Sequence, residues 1–229
     1  TWLIIGGLTI VLVCVGVYVL IPRESAELQA QSESPVTLEP DSPKLTVMAF
    51  GDSVTAGNGF ALSESYPAQL EQILKDKGYA VRVINAGVSG ETTSGGLRRV
   101  DFAISQKPDI FILALWGNDV LRGIDPETSQ SSLEGMLKAF QNAGISVVLV
   151  GMKAPLNLGF KYVNTFNAIY PNLAKTFDVP LVPFLLDGVA LDPTLNQSDG
   201  IHPNAAGARI VAEKNILPVL LPLLKQAKS

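Results

Sequence analysis

Leu45-Thr46-Val47-Met48-Ala49-Phe50-Gly51-Asp52-Ser53-Val54-Thr55-Ala56-Gly57 decides how the chain is read. Six residues of apolar character, Leu45 to Phe50, have the length and continuity of a strand buried on both faces. The run stops at a glycine, and Asp52 and Ser53 follow. A serine at the carboxyl end of a first parallel strand lies where open α/β sheets hold their ligands. If the next residues turn into a helix, Ser53 stands at its N-terminus, where backbone N–H groups face a developing negative charge. A plain strand-to-helix turn with Ser53 as N-cap explains the same residues, so the decision passes to the segments that follow.

Those segments alternate. Tyr66-Pro67 opens a helix closed by Gly78, and Ala80–Asn85 is a second strand. A helix capped by Thr92 or Thr93 runs to about Gln106. Asp109–Trp116 is uninterrupted apolar sequence after its first residue, as expected of a central strand. Pro126–Asn142 is a helix with Leu133, Met136, Leu137 and Phe140 on one face. Ile145–Gly151 is a fourth strand, and a helix spans about Lys161–Phe177. Val179–Pro183 is a short strand that its prolines assign to an edge. A last helix starts near Pro203 and runs towards Leu224, with Pro218 and Pro222 expected to break its end. Strand–helix alternation of this kind implies an α/β fold: a parallel sheet of about five strands between helical layers.

Composition bounds the rest. The 229 residues are 47% hydrophobic and 17% charged, with a formal net charge of −4. Residues 23–43 hold five acidic side chains and one basic, so the excess resides there and the remainder is balanced. No basic footprint for nucleic acid is present. The lone cysteine, Cys14, permits no intramolecular disulfide. Trp2 to Ile21 carries no charge and is about long enough to cross a bilayer as a helix. It exceeds the usual apolar region of a signal peptide and lacks a small-x-small cleavage site. Residues 1–22 are therefore read as a transmembrane anchor, with a cleaved signal sequence as the rival. Residues 23–43, with Pro35, Pro40 and Pro43, read as an acidic linker. Residues 44–229 form the folded domain, expected as a monomer.

Each strand end now offers a polar group: Ser53 after the first, Gly90 after the second, Asn118 after the third, and Asp199 with His202 in the last loop. His202 is the only histidine in the chain, so only it can serve a serine as imidazole base. Asp199, three residues earlier, can fix its tautomer. A zinc site would lack ligands, because no second histidine or domain cysteine exists. The N–H groups of Ser53 and Gly90 and the side-chain amide of Asn118 are candidate donors to an oxyanion. A loop glycine and an Asx turn are the bland readings of Gly90 and Asn118.

Gly51-Asp52-Ser53, Gly90 within Asn85–Thr92, Gly117-Asn118-Asp119 and Asp199-Gly200-Ile201-His202-Pro203-Asn204 together resemble the four blocks of the SGNH hydrolases, or GDSL esterases. The resemblance covers residues 45–224 and is nearest to the bacterial thioesterase I, arylesterase and lysophospholipase group. Val54 departs from the usual leucine. The resemblance implies a flavodoxin-like three-layer α/β/α sandwich. It also implies hydrolysis of carboxylic esters or thioesters through an acyl-serine, without cofactor or metal. Ser53 would be the nucleophile, His202 the base and then acid, and Asp199 the orienting carboxylate. Ser53, Gly90 and Asn118 would form the oxyanion hole. Leu121 and Ile124 would contact the acyl chain from one side, and Ala154 and Pro155 from the other. Aryl esters, acyl thioesters and lysophospholipids are the implied small-molecule substrates. A carbohydrate O-deacetylase is the alternative on the same scaffold, and a non-catalytic binding protein a further one. By resemblance to exported relatives, the domain is expected outside the cytoplasm, tethered to the membrane or released to the periplasm after signal cleavage.

Overall fold

A computed structural model of the chain describes residues 44–227. The Trp2–Ile21 stretch and the linker that follows lie outside the described residues. Among the described residues no helix is long and apolar enough to cross a membrane.

The chain opens with strand β1 (Leu45–Gly51), the four-residue helix α1 (Ser53–Ala56) and helix α2 (Tyr66–Asp76). Strand β2 (Val81–Gly87), helix α3 (Thr93–Ser105), strand β3 (Ile110–Ala114) and the short helix α4 (Gly117–Leu121) follow. Next come α5 (Pro126–Asn142), β4 (Ser146–Val150), α6 (Phe160–Phe177) and the two-residue strand β5 (Leu181–Val182). The last helical stretch is α7 (Ala205–Ile210), a π-helical segment at Val211–Ile216, and α8 (Leu217–Gln226).

All strand pairs are parallel, in the order β2-β1-β3-β4-β5. Every residue of β3 is buried, because β1 and β4 flank it and helices cover both faces. One layer holds α2 and the C-terminal helices; the other holds α3, α5 and α6. Phe50, Phe111 and Phe140 fill the space between the sheet and α5. Phe111 and Phe140 stack with ring centroids 4.1 Å apart, and Phe50 meets both edge-on. The order reverses direction between β1 and β3, so their carboxyl ends diverge into a crevice. This is the three-layer α/β/α arrangement that the alternating sequence implies.

Local chemistry explains the boundaries. Thr92 caps α3 by accepting from the Gly95 N–H, and Asp125 caps α5 by accepting from Glu127. The β5 strand stays short because Pro180 and Pro183 flank it and cannot donate to a ladder. The C-terminal helix departs from expectation. Pro218 and Pro222 do not break it, and it continues to Gln226. Pro218 falls in the first turn of α8, where a missing N–H has least to lose. The π-helical segment just upstream absorbs the altered register. Leu217, Leu220 and Leu224 then bury one face of α8 and hold it down.

The aromatic cluster should dominate stability. Phe140→Ala is expected to lower the unfolding free energy by about 3–5 kcal/mol, read from urea denaturation of residues 44–229. Phe102, which is 70% exposed on α3, is the control. Phe102→Ala should change stability by no more than about 0.5 kcal/mol.

Candidate active site

The β1 turn is built to expose a serine. Asp52 is the N-cap of α1, and its Oδ1 accepts from the Val54 N–H at 3.1 Å. Ser53 is thus the first residue of the helix and not its cap. Gly51 has no room for a side chain: a Cβ there would meet the Thr55 Oγ1 at 2.0 Å and the Ala114 carbonyl at 2.7 Å. The turn can therefore close tightly against β3 only as glycine.

Ser53 and His202 lie far apart in sequence and meet here. The Ser53 Oγ is 2.8 Å from the His202 Nε2, and the His202 Nδ1 is 2.6 Å from the Asp199 Oδ2. Asp199 Oδ1 also accepts from the Ile201 and His202 N–H groups. The side-chain bond to His202, followed by those two backbone bonds, holds the Asp199 carboxyl down at about 2. It is ionised at any working pH and can only accept, so the Nδ1 carries the hydrogen. The Nε2 lone pair is left facing the Ser53 hydroxyl.

Around Ser53 the remaining strand ends contribute donors. Neither the Ser53 N–H nor the Gly90 N–H donates to a protein acceptor among the described residues. Gly90 has a φ of +81°, a conformation that costs glycine little. The Asn118 Nδ2 donates one hydrogen to the Glu91 carbonyl at 3.0 Å, which fixes the amide and leaves its second hydrogen for the crevice.

The crevice has a volume of about 390 Å³ and an apolar lining that includes Val54, Trp116, Val120, Leu121, Leu186 and Leu191. Pro155 lines it as well. Ile124 and Ala154 do not. Ala154 is buried beneath the loop, its N–H donating to the Asn167 Oδ1. Ile124 is half-buried, and its carbonyl accepts from the Tyr162 hydroxyl. Gly90 lies over the β2 end, outside the apolar crevice.

Two buried carboxylates hold this arrangement together, and neither was assigned a role from sequence. Asp52 spans two strand ends, its Oδ2 accepting from the Gly117 N–H at 3.1 Å while Oδ1 serves Val54. Asp119, with no exposed surface, accepts from the Thr93 N–H, the Thr93 hydroxyl and the Ser129 hydroxyl. It thereby ties α4 to the start of α3. The only sequence signal for either was its place beside a singled-out residue, Asp52 before Ser53 and Asp119 after Asn118.

Residues 49–210 match the model of the GDSL-like Lipase/Acylhydrolase family. The chain is 37% identical over 190 residues to Esterase TesA of Pseudomonas aeruginosa, covering 82% of this chain and 94% of that protein. It is 38% identical over 169 residues to Thioesterase 1/protease 1/lysophospholipase L1 of Escherichia coli K12, covering 73% of this chain and 80% of that one. The solved structure of AlinE4, an SGNH-hydrolase family esterase, superposes with a TM-score of 0.66 at 42% identity. That match covers 81% of this chain and 97% of AlinE4.

Asp52 gives a pH test. Burial raises its carboxyl from 3.8 to about 6, against the lowering effect of its two backbone bonds. The folded state therefore holds this proton more tightly than the unfolded chain. The stabilisation is complete below pH 3.8 and is lost as pH rises to about 6. It amounts to about 3 kcal/mol for a shift of this size. The stability of the wild type relative to Asp52→Asn should fall by that order between pH 4 and pH 7 in urea titrations. A pH-independent difference would show that Asp52 titrates normally.

Proposed function

The chain belongs to the GDSL-like lipase/acylhydrolase family, and from that premise we propose that Ser53, His202 and Asp199 are its catalytic triad. The protein is a serine esterase of the SGNH type, a carboxylic ester hydrolase. The observation that carries the residue assignment is the continuous hydrogen-bonded chain from Ser53 through His202 to Asp199, at 2.8 and 2.6 Å.

The Ser53 Oγ attacks the carbonyl carbon of an ester or thioester, and its proton passes to the His202 Nε2. The Asp199 carboxylate stabilises the imidazolium. The carbonyl oxygen, now anionic, receives the Ser53 and Gly90 N–H groups and the free hydrogen of the Asn118 amide. Collapse breaks the bond to the leaving alcohol or thiol, which takes the proton from His202. Water then attacks the acyl-serine with His202 again as base, releasing the carboxylic acid and restoring Ser53. The fixed amide of Asn118 supports its role, since a preoriented donor needs no reorganisation as charge develops.

The apolar lining supports an acyl chain as the occupant of the crevice. This favours aryl esters, acyl thioesters and lysophospholipids over an acetylated glycan, whose two-carbon acyl group would leave most of that apolar lining unfilled. We assign residues 1–22 as a membrane anchor and 23–43 as its tether, and, by likeness to exported relatives, the domain to the outside of the cytoplasm. The support is the uncharged length of Trp2–Ile21 and the proline-containing acidic sequence after it. A mature native protein whose first residue falls within 23–43 would replace the anchor by a cleaved signal.

Ser53→Ala should reduce p-nitrophenyl ester turnover by roughly 10⁴–10⁶-fold, and a fluorophosphonate should label Ser53 alone. Labelling of Ser89 or Ser94 in its place would refute the assignment. Asn118→Ala should lower kcat by about 10²–10³-fold with little change in KM. An effect confined to KM would remove Asn118 from the oxyanion hole.

A further inference from the structure

The apolar crevice lies over the β3, β4 and β5 ends and accounts for one side of Ser53. On the other side, over the β2 end, is a depression of about 440 Å³ lined by Val88, Gly90, Thr92, Arg98, Arg99 and Arg122 among others. Its charges do not cancel. Glu91, the one acidic residue of the lining, is taken by Arg99 through both carboxylate oxygens. The Arg99 guanidinium also donates to the Gly51 and Ala86 carbonyls and stacks over Phe50. That arginine is structural. Arg98 and Arg122 remain. The Arg98 side chain makes no hydrogen bond or ion pair among the described residues. Arg122 gives its Nη2 to the Gly90 carbonyl at 2.7 Å and has no carboxylate partner. Both side chains are exposed.

Gly90 joins this depression to the chemistry. Its carbonyl holds Arg122, and its N–H is an oxyanion donor in the mechanism above. A carbonyl bound at Ser53 therefore has an apolar crevice on its acyl side and two unneutralised guanidinium groups towards β2. Resting on that esterase reading, we propose that Arg98 and Arg122 form an anion subsite for the phosphate of a leaving group carried close to the ester. The acyl chain then occupies the crevice, Ser53 faces the carbonyl, and the phosphate lies against the two arginines. Guanidinium forks match phosphate oxygens in pairs, and a phosphate offers enough oxygens for two forks.

Reach selects the kind of phosphate. In a glycerol ester phosphorylated at its far carbon, phosphorus is about six bonds from the carbonyl carbon, or about 7 Å at roughly 1.2 Å per bond. In a pantetheine thioester the separation is about fourteen bonds, or about 17 Å. Arg122 is held on Gly90 itself, so the shorter spacing fits.

Three substrates with one acyl chain test this below their micelle concentrations: a monoacylglycerol, the same compound bearing a 3-phosphate, and the coenzyme A thioester. Wild-type protein should favour the phosphate ester over the neutral one in kcat/KM. Arg98→Gln should cut that preference by about two- to fivefold, the size expected for one exposed charge pair. Its thioester-to-neutral ratio should stay as in the wild type. Glycerol 3-phosphate should inhibit the wild type competitively, more weakly after Arg98→Gln and more weakly in added salt. An unchanged preference, an equal fall on all three substrates, or a fall on the thioester alone would each overturn the subsite. Failure of wild-type protein to hydrolyse any of the three would overturn the esterase reading instead.

Discussion

The Asp52 carboxylate is the constraint on which the site depends. It accepts from Val54 on one side and from Gly117 on the other, so a single buried group fixes the starts of α1 and α4. Those helices begin where β1 and β3 end, at the point where the sheet order reverses. A crevice opens there because the chain leaves neighbouring strands in opposite directions. Without a bridge, two N–H groups at helix starts would be buried or unpaired. The carboxylate satisfies both and sets the spacing between Ser53 and Asn118. Burial drives its affinity for a proton upward, against the pull of those two backbone bonds.

A second tier of polar contacts repeats this logic. Asp119 collects three donors from α3 and α5, and Arg99 collects the Glu91 carboxylate and two strand-end carbonyls. In each case loop backbone that would otherwise be mobile is attached to a packed helix. Oxyanion donors, the role proposed for Gly90 and Asn118, work by being fixed before charge develops. Here the Asn118 amide is held by the Glu91 carbonyl, the Gly90 carbonyl by Arg122, and Glu91 by Arg99. The loop after β2 is thus braced at successive residues.

Much of this was legible in the sequence, for physical reasons that differ by element. Buried parallel strands are continuous apolar runs, so β1 and β3 were recognisable directly. Helix α5 was readable at both ends because proline and glycine punctuate it. Ser53, Asn118 and His202 stood out because chemistry-bearing residues followed strands in order. The π-helical segment did not, since nothing in Val211–Ile216 itself marks a register change; the proline that accompanies it lies in the first turn of the helix that follows. Ile124 and Ala154 are placed beside the acyl chain by resemblance and loop position, and neither says which way a side chain faces. The structural carboxylates were hidden for a similar reason. A carboxylate beside a nucleophile and one that caps a helix look alike in sequence, and only burial with two or three donors separates them.

The two sides of Ser53 are unlike because the strands beside it end differently. Strands β4 and β5 leave into loops bearing Pro155, Leu186 and Leu191, so the crevice there is apolar. Strand β2 leaves through Gly87-Val88-Ser89-Gly90, a short turn over which arginines from α3 and from beyond α4 converge. An acyl ester is itself two-sided, with a hydrocarbon on one side of the carbonyl and a leaving group on the other. A flat, uniformly apolar groove would bind it in either direction. Dissimilar flanks favour one direction, and they act on ground state and transition state alike. Their contribution should therefore appear as selection among substrates, while the fixed donors around Ser53 set the rate of the bond-breaking step.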